Sequence, residues 1–480
     1  MWRTFLLLVT FLVANIDGEG YYCYGDGPVN NDIQPCRFFA AVIDAGSTGT
    51  RLHLYRFVMN QDPHGLPMLV EEETFQEVKP GLSSFNNDPK GAALSVRNLV
   101  KIAQDVVPHF LWERTPITLK ATAGLRLLPG DMADEILSEV EYELKESGFH
   151  LSPNSVAIMS GSDEGMYSWF TLNLLLNRLF SNDPKNPTKP QATSSVAAFD
   201  LGGGSTQLTY WPSSERIFHI YPGYEKAIDF FGHKMKLFTH SFLGNGLNAA
   251  RLSVLLQVSD IVSADLEDLD MLLSHCFPES YVLPNWHYAL RNWNISGTSS
   301  YSFKACYESV KLFVERSEVM LLEDLKGKPV YLFSYFYDRG SNAGLVKNNT
   351  GGLVKLSDFK EAAEKACLRD ADELDGTHVP HWYPWLCQDL TYIYALLHDG
   401  YGFDDQQELF LAKKIKGMEV SWGQGLSYAL VNEFNEYMSY ENPQKGLNET
   451  VVEQIWHYVY LGTNNIITYF SLLSGFGGDS

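Results

Sequence analysis

Basic charge is what this 480-residue chain has least of: 36 lysines and arginines stand against 58 acids, for a formal net charge of -22. A phosphate polymer is held by a basic surface, so general nucleic-acid binding is excluded. A small anion is not, provided that a metal ion, backbone N–H groups or a few local cations offset the repulsion. Long apolar runs are also missing. The stretch Phe5–Ala14 and the terminal IITYFSLLSGFGG both fall short of the ~20 residues that span a bilayer, so no stable membrane span is expected once an N-terminal signal is removed. No two-pair cysteine or cysteine–histidine cluster has zinc-site spacing, which argues against structural zinc. The C-terminus carries no lumenal retention tetrapeptide, so residence cannot be read from an address signal.

What is present points to two lobes. The chain exceeds the roughly 250–300 residues at which a single core stops growing, and its 45% hydrophobic, 13% aromatic and 20% charged residues are those of an ordinary globular protein. The opening MWRTFLLLVTFLVANIDGEG sets Arg3 before an apolar stretch and then small and polar residues, the grammar of a signal peptide over residues 1–20. An uncleaved anchor is the alternative. Six cysteines suit an oxidising compartment; of the 15 pairings they allow, the sequence-near set Cys23–Cys36, Cys276–Cys306 and Cys367–Cys387 is the expectation. Asn294, Asn348 and Asn448 head N-x-S/T sequons, glycosylation acceptors in the same compartment.

Two stretches share an unusual arrangement. VIDAGSTGTRLHLYRF (42–57) runs apolar to Asp44, bends through small hydroxyl-bearing residues and resumes alternation; AAFDLGGGSTQLTYW (197–211) does the same after Asp200. Between them, helical spacing over 90–112, a buried strand at 117–122, an amphipathic helix over 131–147 stopped by Gly148, the strand SVAIM and a mostly apolar helix over 166–180 alternate, which predicts a mixed sheet with helices on its faces. Residues 181–195 read as a surface connector, and residues 270–390, with four cysteines and many aromatics, as an elaborated second lobe.

Glycines and small residues at a strand-to-strand bend let successive N–H groups converge as a nest for a phosphate oxygen. An acid just before the nest repels bare phosphate, so the pairing makes sense with a divalent cation between them, and Mg²⁺ or Ca²⁺ both take such oxygen ligands. A single bend of this kind reads as an ordinary tight turn; two facing one another across a cleft are similar to the phosphate clamps of the actin, Hsp70 and sugar-kinase superfamily. The order DAGSTGTR, ATAGLRLLP, SGSDEGMYSWFTLN, DLGGGSTQ and SWGQG resembles the five conserved regions of the apyrase family, the nucleoside triphosphate diphosphohydrolases, from about residue 38 onward. Within that family, YFYDRGSN and the missing C-terminal span look most like the soluble lumenal nucleoside diphosphatases that favour UDP and GDP.

The resemblance implies an α/β, two-lobed actin/Hsp70/sugar-kinase-like (ribonuclease-H-like) fold with a mixed sheet in each lobe and the active site in the cleft between them. It implies a first lobe of 21–160 plus 413–480 and a second of 161–412. Glu164 falls where the family places the base that activates water, with Ser205 and Gln207 holding that water. Ser47, Thr48 and Gly49, Thr122 and Ala123, and Gly203, Gly204 and Ser205 form the phosphate cradle; Asp44 and Asp200, with Thr122 and Trp422, anchor a hydrated Ca²⁺ or Mg²⁺. Tyr337 and Tyr401 sandwich the base, with Arg339 alongside. Taken alone, Glu164 is equally a helix-dipole acid and Trp422 a core residue. Gly49 stands where membrane-bound relatives often carry histidine, so contacts to the terminal phosphate should differ from theirs, which weakens a claim of triphosphate use. The expected activity is hydrolysis of UDP or GDP in the endoplasmic reticulum or Golgi lumen, or outside the cell. The rivals are a secreted ATP/ADP apyrase, a small-molecule kinase on the same scaffold, and a nucleotide receptor without catalysis. Oligomeric state is not legible in the sequence.

Overall fold

The computed structural model describes residues 36–60, 66, 68–179, 191–230, 233–259, 271–325, 327–347, 351–375 and 378–441, except the side chains of 230, 233 and 436–441. The signal-peptide stretch, Cys23, Asn348, Asn448 and most of the connector lie outside them.

Strands β1 (Arg37–Ala45), β2 (Thr50–Met59) and β3 (Met68–Val78) form an antiparallel meander, and β4 (Ile117–Ala121) and β5 (Val156–Ile158) add in parallel on the other side of β1, giving the order β3-β2-β1-β4-β5. The second lobe repeats the scheme. In it β6 (Ala197–Leu201), β7 (Ser205–Tyr210), β8 (Glu225–Phe230) and β9 (His233–Leu243) continue the antiparallel side. On the other side of β6 stand the parallel strands Val330–Ser334 and Glu408–Ala412, edged by the antiparallel Gly351–Lys355. Each lobe is therefore a mixed sheet grown from one hairpin, with β1 and β6 in equivalent places. A separate three-stranded sheet spans residues 272–298.

Helices α1 (Pro89–Val106) and α2 (Met132–Lys145) cover the outer face of the first sheet through Val96, Leu99, Ile136, Val140 and Leu144. The helical spacing read over 90–112 splits at Val107–Pro108, because a residue before proline is pushed to extended backbone; a separate short turn follows at His109–Arg114. Helix α3 (Gly161–Leu175) starts earlier than its apolar run, capped by Ser160, whose side chain accepts from Asp163 N–H at 3.1 Å. Its Trp169, Phe170 and Leu172 join Trp422, Leu426, Tyr428 and Val431 of the helix Trp422–Glu441 in a core that also takes Val42 and Phe57 from the first sheet and Ala198, Leu237 and Phe333 from the second. Both helices are wedged between the sheets, so α3 is apolar nearly all round. The lobe boundary expected at 160/161 falls at the start of α3, and that at 412/413 at the end of the strand Glu408–Ala412. Among the described residues no helix is long and apolar enough to cross a membrane.

Cys276–Cys306 and Cys367–Cys387 are both bridged. They adjoin: the Cys387 sulfur lies within 4.8 Å of both sulfurs of the other bridge. Asn294 sits on the strand Arg291–Thr298, where its Oδ1 accepts from Asn285 N–H at 3.1 Å.

Candidate active site

Each hairpin places an aspartate one residue before the end of its first strand, Asp44 on β1 and Asp200 on β6. The two bends meet. A Cβ placed on Gly203 would collide with Ser47 Oγ, one on Gly204 would come within 3.0 Å of Ala123 Cβ, and one on Gly124 within 2.7 Å of Ser47 Cα. Thr122 N–H donates to Ala45 C=O at 3.2 Å, tying the end of β4 to the first bend. Ser47, Thr122, Ala123, Gly203 and Gly204 are thus gathered at one place, with Thr48 and Gly49 completing the first bend.

The second bend is a nest by construction. The carbonyls of Gly202, Gly203 and Gly204 accept from the N–H groups of Leu247, Asn248 with Ala249, and Gly244. A trans peptide sets each N–H opposite the preceding carbonyl, so the amides of Gly203, Gly204 and Ser205 turn away from those donors and are left for a ligand.

Three carboxylates face this point: Asp44 raises Asp200, and both raise Glu164. Burial pushes Asp200 up to about 6, and the Asp44 charge adds to the rise while the hydroxyls of Ser334 and Ser168 oppose it. Burial likewise raises Asp44 against the pull of Arg51, whose Nη1 stands 3.4 Å from Oδ2. Asp44 Oδ1 is buried without a hydrogen-bond partner. An orphaned carboxylate oxygen beside a second carboxylate is what a hard divalent cation with oxygen ligands fits.

Glu164, in the first turn of α3, is 7% exposed, and burial lifts it to about 8; Arg126 opposes the shift, donating from Nη2 to Oε2 at 2.5 Å, while Asp200 and Asp44 add to it. Gly165 lets α3 approach the second sheet, since a Cβ there would stand 3.3 Å from Gln207 Cβ. Gln207 Nε2 donates to Ser205 Oγ at 2.6 Å and to Ser241 Oγ at 2.9 Å, and its Oε1 is buried with no partner. Glu164, Ser205 and Gln207 therefore share one buried polar patch.

Both aromatics expected against the base are buried. Tyr401 is 2% exposed, with its ring edge-on to Phe199 at 5.2 Å and Phe242 at 5.9 Å, and Tyr337 is 4% exposed in the same second-lobe core. On the helix Tyr335–Asn342, Tyr337 falls on the buried face with Phe336 and Gly340, while Tyr335 and Asp338 are half-buried. Tyr335 acts on the charge of Arg51 in the first lobe, and Arg339 lies over the Tyr335 ring at 5.2 Å. Arg339 is buried, its Nε 2.9 Å from Asp389, which also accepts from Arg251 Nε at 2.7 Å and Nη2 at 2.6 Å. Trp422 lies in the inter-sheet core, as its residue type alone suggests, and the next residue, Gly423, abuts His53 and Tyr55.

Sequence reasoning missed Arg126, Ser241, Arg51 and Gly124. Arg126 lies inside ATAGLRLLP and was open to selection from that motif; Ser241, on a strand far along the chain, carries no local signal. Around Asp338 stand Arg339 of its own helix, Lys413 just beyond the strand Glu408–Ala412, and Arg51 and Lys79 of the first lobe, a local positive field in an acidic chain.

Comparisons with known proteins give the family and the fold. The GDA1/CD39 (nucleoside phosphatase) family pattern matches residues 33–446. The chain is 59% identical over 461 residues, 95% of each chain, to the nucleoside-diphosphatase uda-1 of Caenorhabditis elegans. It is 37% identical over 442 residues, 90% of this chain and 97% of the other, to the nucleoside diphosphate phosphatase ENTPD5 of Homo sapiens. A crystal structure of nucleoside triphosphate hydrolases from Neospora caninum shares the fold, with a TM-score of 0.58 at 14% identity over 85% of this chain and 95% of that one.

Proposed function

Since the chain belongs to the GDA1/CD39 nucleoside phosphatase family, we propose that it hydrolyses nucleoside diphosphates, UDP and GDP, to the monophosphate and phosphate in the lumen of the endoplasmic reticulum or Golgi. There it removes the diphosphate that glycosyltransferases release, supporting protein glycosylation. One observation carries the reading: two hairpins, each bearing an aspartate and a glycine-rich bend, meet over a third carboxylate, Glu164. The relatives named for nucleoside diphosphatase activity support the substrate class, and the two disulfides support an oxidising compartment.

Asp44 and Asp200 would hold Ca²⁺ or Mg²⁺, with Thr122 beside the first bend. Bound there, the cation supplies charge neutralisation for the phosphate groups. The amides of Gly203, Gly204 and Ser205, with Ser47, Thr48 and Ala123, receive the terminal phosphate. Ser205 and Gln207 orient a water, and Glu164 takes its proton as the water oxygen bonds to phosphorus. The anhydride bond breaks with its electron pair leaving on the monophosphate. Arg126 holds the Glu164 carboxylate in place and favours its ionised form.

The test is phosphate release by the purified full chain from UDP, GDP, ADP and ATP, with and without EDTA. We expect cation-dependent release from UDP and GDP, and at least ~100-fold slower turnover for Glu164→Gln with nucleotide binding retained. Release that ignores EDTA, or near-normal turnover by the variant, overturns the mechanism; preference for ATP overturns the substrate assignment.

A further inference from the structure

We propose that Ser241 is a positioning residue that fixes which end of the Gln207 amide meets the attacking water; this rests on the reading above that Ser205 and Gln207 hold that water. On β6, β7 and β9, Asp200, Gln207 and Ser241 stand directly opposite one another, so their side chains form one row across three strands on a single face. Ser205, two residues before Gln207, shares that face. Helix α3 lies across the row on two glycines one turn apart. A Cβ on Gly161 would stand 2.2 Å from Ser241 Oγ and 2.8 Å from Arg126 Nη1, and one on Gly165 would stand 2.5 Å from Thr209 Oγ1. Glu164 follows between these glycines, so the same close approach brings its carboxylate and the Arg126 that pairs with it down onto the row.

The Gln207 amide has two N–H donors and one carbonyl acceptor. Its Nε2 lies 2.6 Å from Ser205 Oγ and 2.9 Å from Ser241 Oγ, so both donors are engaged, whereas Oε1 is buried without a partner. A buried carbonyl left bare beside two satisfied donors calls for a ligand that brings a proton to it. Water attacking phosphorus must aim a lone pair at it, so both of its own O–H groups need acceptors. Glu164 provides one and Gln207 Oε1 the other. An amide turned over would offer N–H to the same water and occupy a lone pair instead. Ser205 alone engages one N–H and leaves the second free. Ser241, reaching in from another strand, engages that second N–H and removes the freedom to turn. Ser241 thus acts through Gln207, and its effect falls on turnover rather than on nucleotide binding.

The test is a double-mutant cycle on the full chain, read as phosphate release from UDP at saturating Mg²⁺, with thermal melting as the fold control. We expect Ser241→Ala to lower kcat by ~10–100-fold, the scale of loss when a reacting group is misplaced, while KM stays within about twofold. Gln207→Ala should lower kcat at least as far, and adding Ser241→Ala to it should change kcat by no more than about twofold, because a residue that acts through another has nothing left to position. Ser241→Thr keeps the hydroxyl and should hold kcat within about threefold of the parent. Near-normal kcat for Ser241→Ala, a threonine variant as slow as the alanine one at an unchanged melting temperature, or losses that multiply in the double variant each overturns the role of Ser241 and leaves the proposed function intact. Near-normal turnover by Gln207→Ala overturns the water-holding role of Gln207, and the inference with it.

Discussion

Gly124→Ala tests whether the two bends must meet where they do. Gly124 lies in the helical turn Ala123–Arg126, where its backbone suits alanine and alanine is the better helix former. The obstacle is purely steric. The new Cβ would stand 2.7 Å from Ser47 Cα, 3.1 Å from its Cβ and 3.2 Å from its N, against roughly 3.5–4.0 Å for relaxed carbon contacts. Since the obstacle is backbone, no rotamer change removes it, and the first bend must retreat by roughly 1 Å. A displacement of ~1 Å of a positioned group can cost ~100-fold in rate, or about 2.7 kcal/mol of transition-state stabilisation. The assay is kcat/KM for phosphate release from UDP at saturating Mg²⁺, with far-ultraviolet circular dichroism and thermal melting as fold controls. We expect a ~100-fold fall with melting shifted by no more than about 2 °C. A well-folded Gly124→Ala protein that works within threefold of the parent refutes the claim that the cradle depends on contact between the bends.

Three further outcomes follow from the same geometry. Glu164 titrates near 4.5 when unfolded and at about 8 when folded without a cation; the folded state therefore holds the extra proton, and stability falls as pH rises from 4.5 through 8, by on the order of 5 kcal/mol. In EDTA, Glu164→Gln should match the parent melting temperature near pH 4.5 and exceed it at pH 8.5; parallel curves would show that the carboxyl is not so perturbed. Asp389→Ala strands the Arg251 and Arg339 guanidiniums in a buried site and should destabilise by about 3–5 kcal/mol, read from urea unfolding; a loss below 1 kcal/mol would mean that the two arginines find other partners. Tyr401→Phe deletes a buried hydroxyl that has no partner, so stability should hold or rise by about 1 kcal/mol and KM for UDP should not move, whereas a several-fold rise in KM would restore Tyr401 to the nucleotide site.

The sequence made the fold legible where local signals and burial agree. Asp44 and Asp200 ended apolar strands before glycine-rich bends, and both stand at equivalent sheet positions because each lobe is grown from the same hairpin scheme. Ile136, Val140 and Leu144 marked α2 because a one-sided stripe has one explanation. The burial of Tyr337 and Tyr401 was not legible, for the complementary reason. An aromatic on a helix reads alike whether it faces the core or the cleft, and only the register of the helix Tyr335–Asn342 against its sheet puts Tyr337 inward and Tyr335 outward. Arg126 and Ser241 escaped because each acquires meaning only from a partner far away in the chain, Glu164 for one and Gln207 for the other.

The layer shared by α3 and the helix Trp422–Glu441 sets how the molecule can breathe. Swinging the halves widely apart would wet Trp169, Phe170, Trp422 and Tyr428 together, a penalty of several kcal/mol at ~1.5–3 kcal/mol for each large side chain exposed. Small rocking movements about this common spine keep those side chains covered, so they are the motions the packing favours.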